Sequence, residues 1–336
     1  MIVLRGKKQK PYLFKNKNDI IEALLSCGEK QKNLFNYACN LRDKVFLKKV
    51  EVRSVIEYSN MCGQNCNFCG MRSYSNIKRY VLTNDESLRY VDKLYQSGRR
   101  VILFETGENK NDIYFNNLSG LLKKLKKKYP DLVLNCALGN LTKDKYSKLR
   151  EIGVERYLLK FETTSPKLYR KIKPSDSLNN RLVHMDMVKK LGFQLSSGSI
   201  VGLPGQDLDI LAEDLLFIKK LDLSMGAVSP FIPNEMSPYA EYPAADLNLT
   251  LKFMAIMRIM SPAMLIPTVS ALNLIGSNGQ YLGLMAGANV ITLHDGTPRK
   301  KEKEYIIYKI RRHRPKDDLF DIVRDAGLKC SDLSLI

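Results

Sequence analysis

Residues 194–207 read Gln194-Leu-Ser-Ser-Gly-Ser-Ile-Val-Gly-Leu-Pro-Gly-Gln-Asp207, and Leu208, Leu211, Leu215 and Ile218 follow at helical spacing. The opening of this stretch predicts a strand over Gln194–Val201. Pro204-Gly205 predicts a tight turn, because proline fixes φ and glycine takes conformations closed to other residues. Asp207 and Asp209 open the next segment, and Lys219 and Lys220 close it. Those charges complement the dipole of a helix over Asp207–Leu221. Strand, turn and amphipathic helix therefore form one unit.

The unit repeats outward from there. Further strands are predicted at Val52–Tyr58, Val101–Thr106, Leu132–Ala137, Arg156–Phe161, Ala227–Phe231, Met264–Val269 and Ala288–Leu293. Helical spacing of apolar residues falls between most of them, at Asp85–Gln96, Leu118–Lys128, Lys143–Ile152, Leu178–Leu191 and Leu249–Met260. In the last of these, Met254, Met257 and Met260 form a stripe that reads as core. Eight strand candidates alternating with helices argue for an α/β fold, a parallel sheet closed as a (β/α)8 TIM-type barrel. An open doubly wound sheet is the alternative. Residues 1–48 read as an N-terminal helical extension, with helical spacing over Ile20–Leu25 and Leu34–Val45. Residues 49–298 supply the barrel, and 299–336 a basic C-terminal segment packing on it. A barrel carries its chemistry at the C-terminal ends of its strands, so each motif is tested by whether it falls there.

Composition narrows the class. A chain of 336 residues, 44% of them hydrophobic, buries a large core without disulfides. The formal net charge is +19. Many lysines, such as Lys123, Lys124, Lys126, Lys127 and Lys128, fall on helix faces and read as solvated surface. The densest basic stretch, Arg299–Lys316, contains Arg311, Arg312 and Arg314 and suits an acidic protein partner or the cover of an anionic pocket. No appended RNA-binding module is visible, and nucleic acid is not expected as a partner. Neither a secretory signal nor a membrane-length apolar run is present, so a soluble, cytoplasmic protein is expected. There are seven cysteines, an odd number, and Cys27, Cys39, Cys136 and Cys330 are scattered, which is no disulfide framework.

The remaining three cysteines form Cys62-Gly-Gln-Asn-Cys66-Asn-Phe-Cys69, directly after the first predicted strand. Thiolates are the ligands that iron–sulfur clusters select. Three of them can bind three irons of a cubane and leave one iron open to a chelating small molecule. A structural zinc ion normally closes with four ligands, and no further cysteine or histidine lies nearby in sequence.

This loop, with Phe68 before its third cysteine, resembles the signature of the radical S-adenosylmethionine (SAM) superfamily. The resemblance implies a 4Fe–4S cluster on Cys62, Cys66 and Cys69 and SAM on the open iron. Reductive cleavage of SAM to a 5′-deoxyadenosyl radical would follow, supplied by an electron donor such as ferredoxin or flavodoxin. Other strand ends are similar to the family's motifs. Glu105-Thr106-Gly107-Glu108 resembles its Gly-Gly-Glu stretch, which meets the SAM amino group, with Thr106 in place of one glycine. Gly107 would let the backbone approach, and Glu108 would accept from the ammonium. In Lys160-Phe161-Glu162-Thr163, Glu162 would bond the ribose hydroxyls, and Arg181 would grip the SAM carboxylate. Ile200 and Gly202, in a Gly-x-Ile-x-Gly-like stretch, would border the adenine.

In their order along the chain these motifs most resemble the branch holding biotin synthase, methylornithine synthase and the HydE-type FeFe-hydrogenase maturases. Glu57-Tyr-Ser-Asn60, Ser199–Gln206, Pro230-Phe-Ile-Pro233 and Gly287-Ala-Asn-Val290 carry that likeness. It implies a small-molecule substrate inside the barrel and a role in metallocofactor assembly. Tyr305 and Tyr308 resemble paired tyrosines near the HydE-type substrate cavity and are catalytic candidates. Cys136, ending the third strand, reads either as a small buried hydrophobe or, if it faces the cavity, as a third candidate, a hydrogen donor or nucleophile. His294 and Asp295 read as pocket wall. Two departures stand out. Lys160-Phe161 replaces the usual Arg-His, and the lone Cys330 predicts a single cluster. The alternatives are another cofactor pathway (the guanylylpyridinol of Fe-hydrogenase, methylornithine or biotin-like biosynthesis), a nucleic-acid-modifying radical enzyme, and a non-enzymatic metal scaffold.

Overall fold

A computed structural model describes residues 12–301, 303–308, 319–331 and 333–336. Arg311, Arg312 and Arg314 of the basic stretch lie outside the described residues. Among the described residues, eight parallel strands are arranged around an axis: β1 (Lys49–Ser59), β2 (Val101–Thr106), β3 (Val133–Ala137), β4 (Arg156–Leu158), β5 (Gln194–Ser197), β6 (Met225–Gly226), β7 (Pro267–Thr268) and β8 (Val290–Leu293). Their order is β6-β5-β4-β3-β2-β1-β8-β7. A parallel bridge from Met225 to Leu265 closes the ring, and Gly226 N donates to Leu265 O over 2.8 Å. The sheet is thus a barrel rather than the open alternative.

Period-two alternation explains why both faces of the strands are buried. In β1, Val50, Val52 and Ile56 pack outward into the core under the helices, whereas Arg53 and Val55 face the central cavity. The surrounding helices are α1 (Lys17–Leu25), α2 (Gly28–Phe46), α3 (Asn84–Gln96), α4 (Asp112–Lys128), α5 (Lys143–Ile152), α6 (Pro166–Ile172), α7 (Leu178–Lys190), α8 (Leu208–Leu221), α9 (Leu247–Met260) and α10 (Gly279–Met285). Helices α1 and α2 pack on α8 and α9. Met254 and Met257 of α9 are fully buried, as the stripe predicts. Asp207 is the N-cap of α8, its side chain accepting from Ile210 N over 2.8 Å.

The stretch around Gly198 departs from the expected single strand. Gly198 has φ +156°, and a Cβ there would lie 1.9 Å from Ala227 O. The chain breaks out of the barrel at this point. Ile200–Val201 then pairs with Ser229–Pro230 as a separate two-stranded ladder at the rim. The predicted strand over Ala227–Phe231 accordingly divides into β6 and this rim segment. At the opposite end, β9 (Lys329–Ser331) pairs with the start of β1. There Glu51 and Arg156 form a buried ion pair, and Leu335 N donates to Glu51 Oε2 over 3.1 Å.

Candidate functional site

A cavity of about 280 Å³ opens at the C-terminal end of the barrel. Cys62, Cys66 and Cys69 line it, together with Phe68. Backbone bonds hold their loop in place. Gly63 N donates to Glu108 O, Asn67 N to Ile172 O and Ser73 N to Gln64 O, each over 2.8 Å. The Arg79 guanidinium bonds the carbonyls of Asn60 and Met71 at 2.8 Å and of Arg72 at 2.7 Å. Gly107 is enclosed: a Cβ on it would lie 2.4 Å from Met61 O and 2.5 Å from Cys62 Cβ. The end of β2 therefore fixes where the cysteine loop begins.

The thiols fit an iron–sulfur cluster with one open corner. All three are free of disulfides, and among the described residues no fourth cysteine lines the cavity. Burial pushes the Cys66 thiol up to about 11 and raises that of Cys62. Dehydrated thiols ionise only against a compensating cation, which a metal supplies. Met71 N stands 3.4 Å from Cys69 Sγ, oriented to donate to it.

Beside the cysteines, one network joins the ends of three strands. Glu108 Oε1 accepts from Gln64 Nε2 over 2.6 Å, and Oε2 accepts from Asn140 N over 3.1 Å. Arg181 Nη2 lies 3.5 Å from both Glu108 Oε2 and Asp176 Oδ2, and its Nε donates to Tyr169 OH over 3.2 Å. Burial alone would lower the Arg181 guanidinium, but Tyr169, Glu108 and Asp176 hold it above its usual range. Glu108 and Arg181 both line the cavity, as expected, yet the Glu108 carboxylate is already engaged by the protein. Thr106 lines it too, its Oγ1 bonded to Gly107 O.

Glu162 takes φ +64°, held by its N–H to Gly198 O and its carbonyl from Ile200 N. Its carboxylate pairs with Lys160 Nζ at 3.1 Å, and both residues line the cavity. Phe68, Ile200 and Phe231 pack together as an apolar wall beside it. Two expectations need correction. Gly202 does not line the cavity; it sits at φ +85° in the rim turn, where Gln206 Oε1 accepts from its N–H over 2.7 Å. Cys136 is wholly buried in the core around the barrel, because alternation along β3 turns its neighbour Ala137 to the cavity and Cys136 away. Tyr305 and Tyr308 both line the cavity, and Asn60 Nδ2, donating to Glu304 O over 2.6 Å, ties their segment to the cysteine loop. His294 is also in the wall, while Asp295 turns to Arg99 at 3.6 Å.

Sequence reasoning missed Gln64, Asn140, Tyr169 and Asp176, which orient Glu108 and Arg181. Only the position of Asn140 just beyond β3 signals it. It also missed the polar lining supplied by Arg53, Glu105 and Thr292. Alternation of Arg53, Val55 and Glu57 along β1 is the signal that would have found it.

Comparison with known proteins places this geometry. The profile of the radical SAM superfamily matches residues 56–218. The [FeFe] hydrogenase maturase subunit HydE of Thermotoga maritima is 37% identical over 295 residues, covering 86% of this chain and 83% of that protein. The 3-methylornithine synthase of Methanosarcina barkeri is 28% identical over 277 residues, covering 82% and 78%. The crystal structure of methylornithine synthase superposes with a TM-score of 0.84 at 26% identity, over 94% of both chains.

Proposed function

The chain belongs to the radical SAM superfamily, and on that footing we propose that it acts in metallocofactor assembly, on a small substrate held in the barrel lumen. It is a radical SAM enzyme, with a 4Fe–4S cluster and SAM as cofactors. Bound in the cavity, these supply a 5′-deoxyadenosyl radical. Cys62, Cys66 and Cys69 hold the cluster. Gln64 and Asn140 orient Glu108, which with Asp176 and Tyr169 presents Arg181 as a fixed cation for a carboxylate. Lys160 positions the Glu162 carboxylate for hydroxyl groups. Phe68, Ile200 and Phe231 keep water from a flat ring on that side. Tyr305 and Tyr308 face substrate.

The observation that carries this reading is that the cysteines, Glu108, Lys160, Glu162, Arg181 and the tyrosine pair line a single cavity in a closed barrel. Likeness to HydE supplies the assembly role. An electron donor such as ferredoxin or flavodoxin completes the reaction, and the net charge of +19 suits an acidic one. Anaerobic reconstitution should give about four irons per chain and release 5′-deoxyadenosine from SAM under reductant. The chain should then replace HydE in maturing apo-[FeFe] hydrogenase. SAM cleavage without maturation would remove the assembly role and leave the superfamily chemistry standing. Formation of methylornithine would replace that role with the second reading, which the structural match to methylornithine synthase favours.

A further inference from the structure

We propose that Glu57, Glu105 and His294 form a second metal site, one that takes a divalent ion such as Mn²⁺ or Fe²⁺ in the wall of the cavity. Three adjacent strands deliver these residues. Glu57 on β1 and Glu105 on β2 stand directly in register, and His294 follows β8 on the other side of β1. One donor atom from each lies within 4.8 Å of the others. His294 Nδ1 is 3.0 Å from Glu57 Oε1, with both side chains more than nine-tenths buried. Two donors about 2.1 Å from one metal, at cis angles, are themselves roughly 3.0–3.4 Å apart. The His294–Glu57 pair therefore has the spacing of neighbouring ligands of one ion, and Glu105 brings its donor within 4.8 Å of both. Two carboxylates with one imidazole suit Mn²⁺, Fe²⁺ or Zn²⁺ better than the thiolate corner does.

A second observation points to a polar occupant in the same region. Asn135 faces the lumen one layer beneath, since Leu103 pairs with Asn135 and Glu105 with Ala137. It is wholly buried, and among the described residues neither its amide nitrogen nor its oxygen has a partner. Deeper still, opposite Val101 on β2, Arg53 Nε is buried and has no partner among the described residues. Buried polar groups in this state are ordinarily satisfied by bound water or ligand, and water in a metal's shell would serve. Glu105 and His294 also line the cavity that the cysteines line. The ion would keep open positions toward that cavity, where an oxygen, nitrogen or sulfur of the substrate completes its shell. Placement of the two glutamates on strands, with His294 next to the end of a third, makes the ligand set rigid. The site does not depend on the maturation role.

The test is a Mn²⁺ titration of the full-length, cluster-reconstituted protein, followed by electron paramagnetic resonance with the cluster in its diamagnetic oxidised state. The expected result is one saturable Mn²⁺ per chain. Glu105→Gln and His294→Ala should each weaken binding more than about tenfold with iron content unchanged. Glu105→Asp, which keeps a carboxylate, should retain measurable binding and guards against a misfolded Gln variant. Absence of saturable binding, or binding that is the same in wild type, Glu105→Gln and His294→Ala, overturns the proposal.

Discussion

Replacing Gly107 with alanine should uncouple cluster retention from fold stability. The added Cβ would meet Met61 O at 2.4 Å and Cys62 Cβ at 2.5 Å, against an ordinary contact of at least 3.4 Å. The cysteine loop and the end of β2 must therefore separate by roughly 1 Å, since neither obstacle is a flexible side-chain tip. Overpacking of this kind costs about 1–3 kcal/mol, which lowers the melting temperature by a few degrees in a chain of this size. Metal sites tolerate ligand errors of only about 0.2 Å, so the shift at Cys62 is several times too large for a cubane corner. Gly63→Ala is the matched control. Its Cβ would meet only Glu108 O, at 3.6 Å, which is normal contact. After anaerobic reconstitution and gel filtration, iron per chain and the visible cluster absorption are measured beside a thermal melt. Gly107→Ala should lose most of its iron with a small change in melting temperature, and Gly63→Ala should keep both. A full iron complement in Gly107→Ala, or equal losses in the two variants, would refute the reasoning.

Three further outcomes are expected. Arg156→Met leaves the Glu51 carboxylate buried without its ion partner and should cost about 3–5 kcal/mol in urea unfolding, most of it recovered when Glu51 is also made leucine. A cost below about 1 kcal/mol would mean that the pair is solvated. Asp214, buried against Thr164, is lifted by burial from 3.8 to about 7. Because the folded state holds this proton more tightly than the unfolded chain, its contribution to stability is complete below pH 3.8 and is lost as pH rises toward about 7. Asp214→Asn should flatten that slope in melting temperature against pH, and an unchanged slope assigns it to other groups. Cys66→Ala should abolish SAM cleavage and iron retention, whereas Cys330→Ala, on β9 beside the start of β1, should leave iron content unchanged.

The sequence alone determined a good deal. Local periodicity placed α3, α5, α7 and α8 to within a residue or so, because amphipathic spacing and end charges are properties of neighbours along the chain. The cysteine spacing likewise made a metal site legible, since three ligands within eight residues need no folding to be near one another. What tertiary structure decided was direction and partnership. Cys136 and Gly202 looked like cavity residues, and strand alternation and a rim turn removed them. Gln64, Tyr169 and Asp176 carry no local signature and Asn140 only its position beyond β3, yet they converge on Glu108 and Arg181 from separate parts of the chain. Glu57, Glu105 and His294 are far apart in sequence and meet only because β8, β1 and β2 are neighbours in a closed ring. A sequence fixes which residues can bind or react, but parallel strands joined by long crossovers set which of them share one lumen, and that pairing is written in the whole barrel rather than in any single stretch.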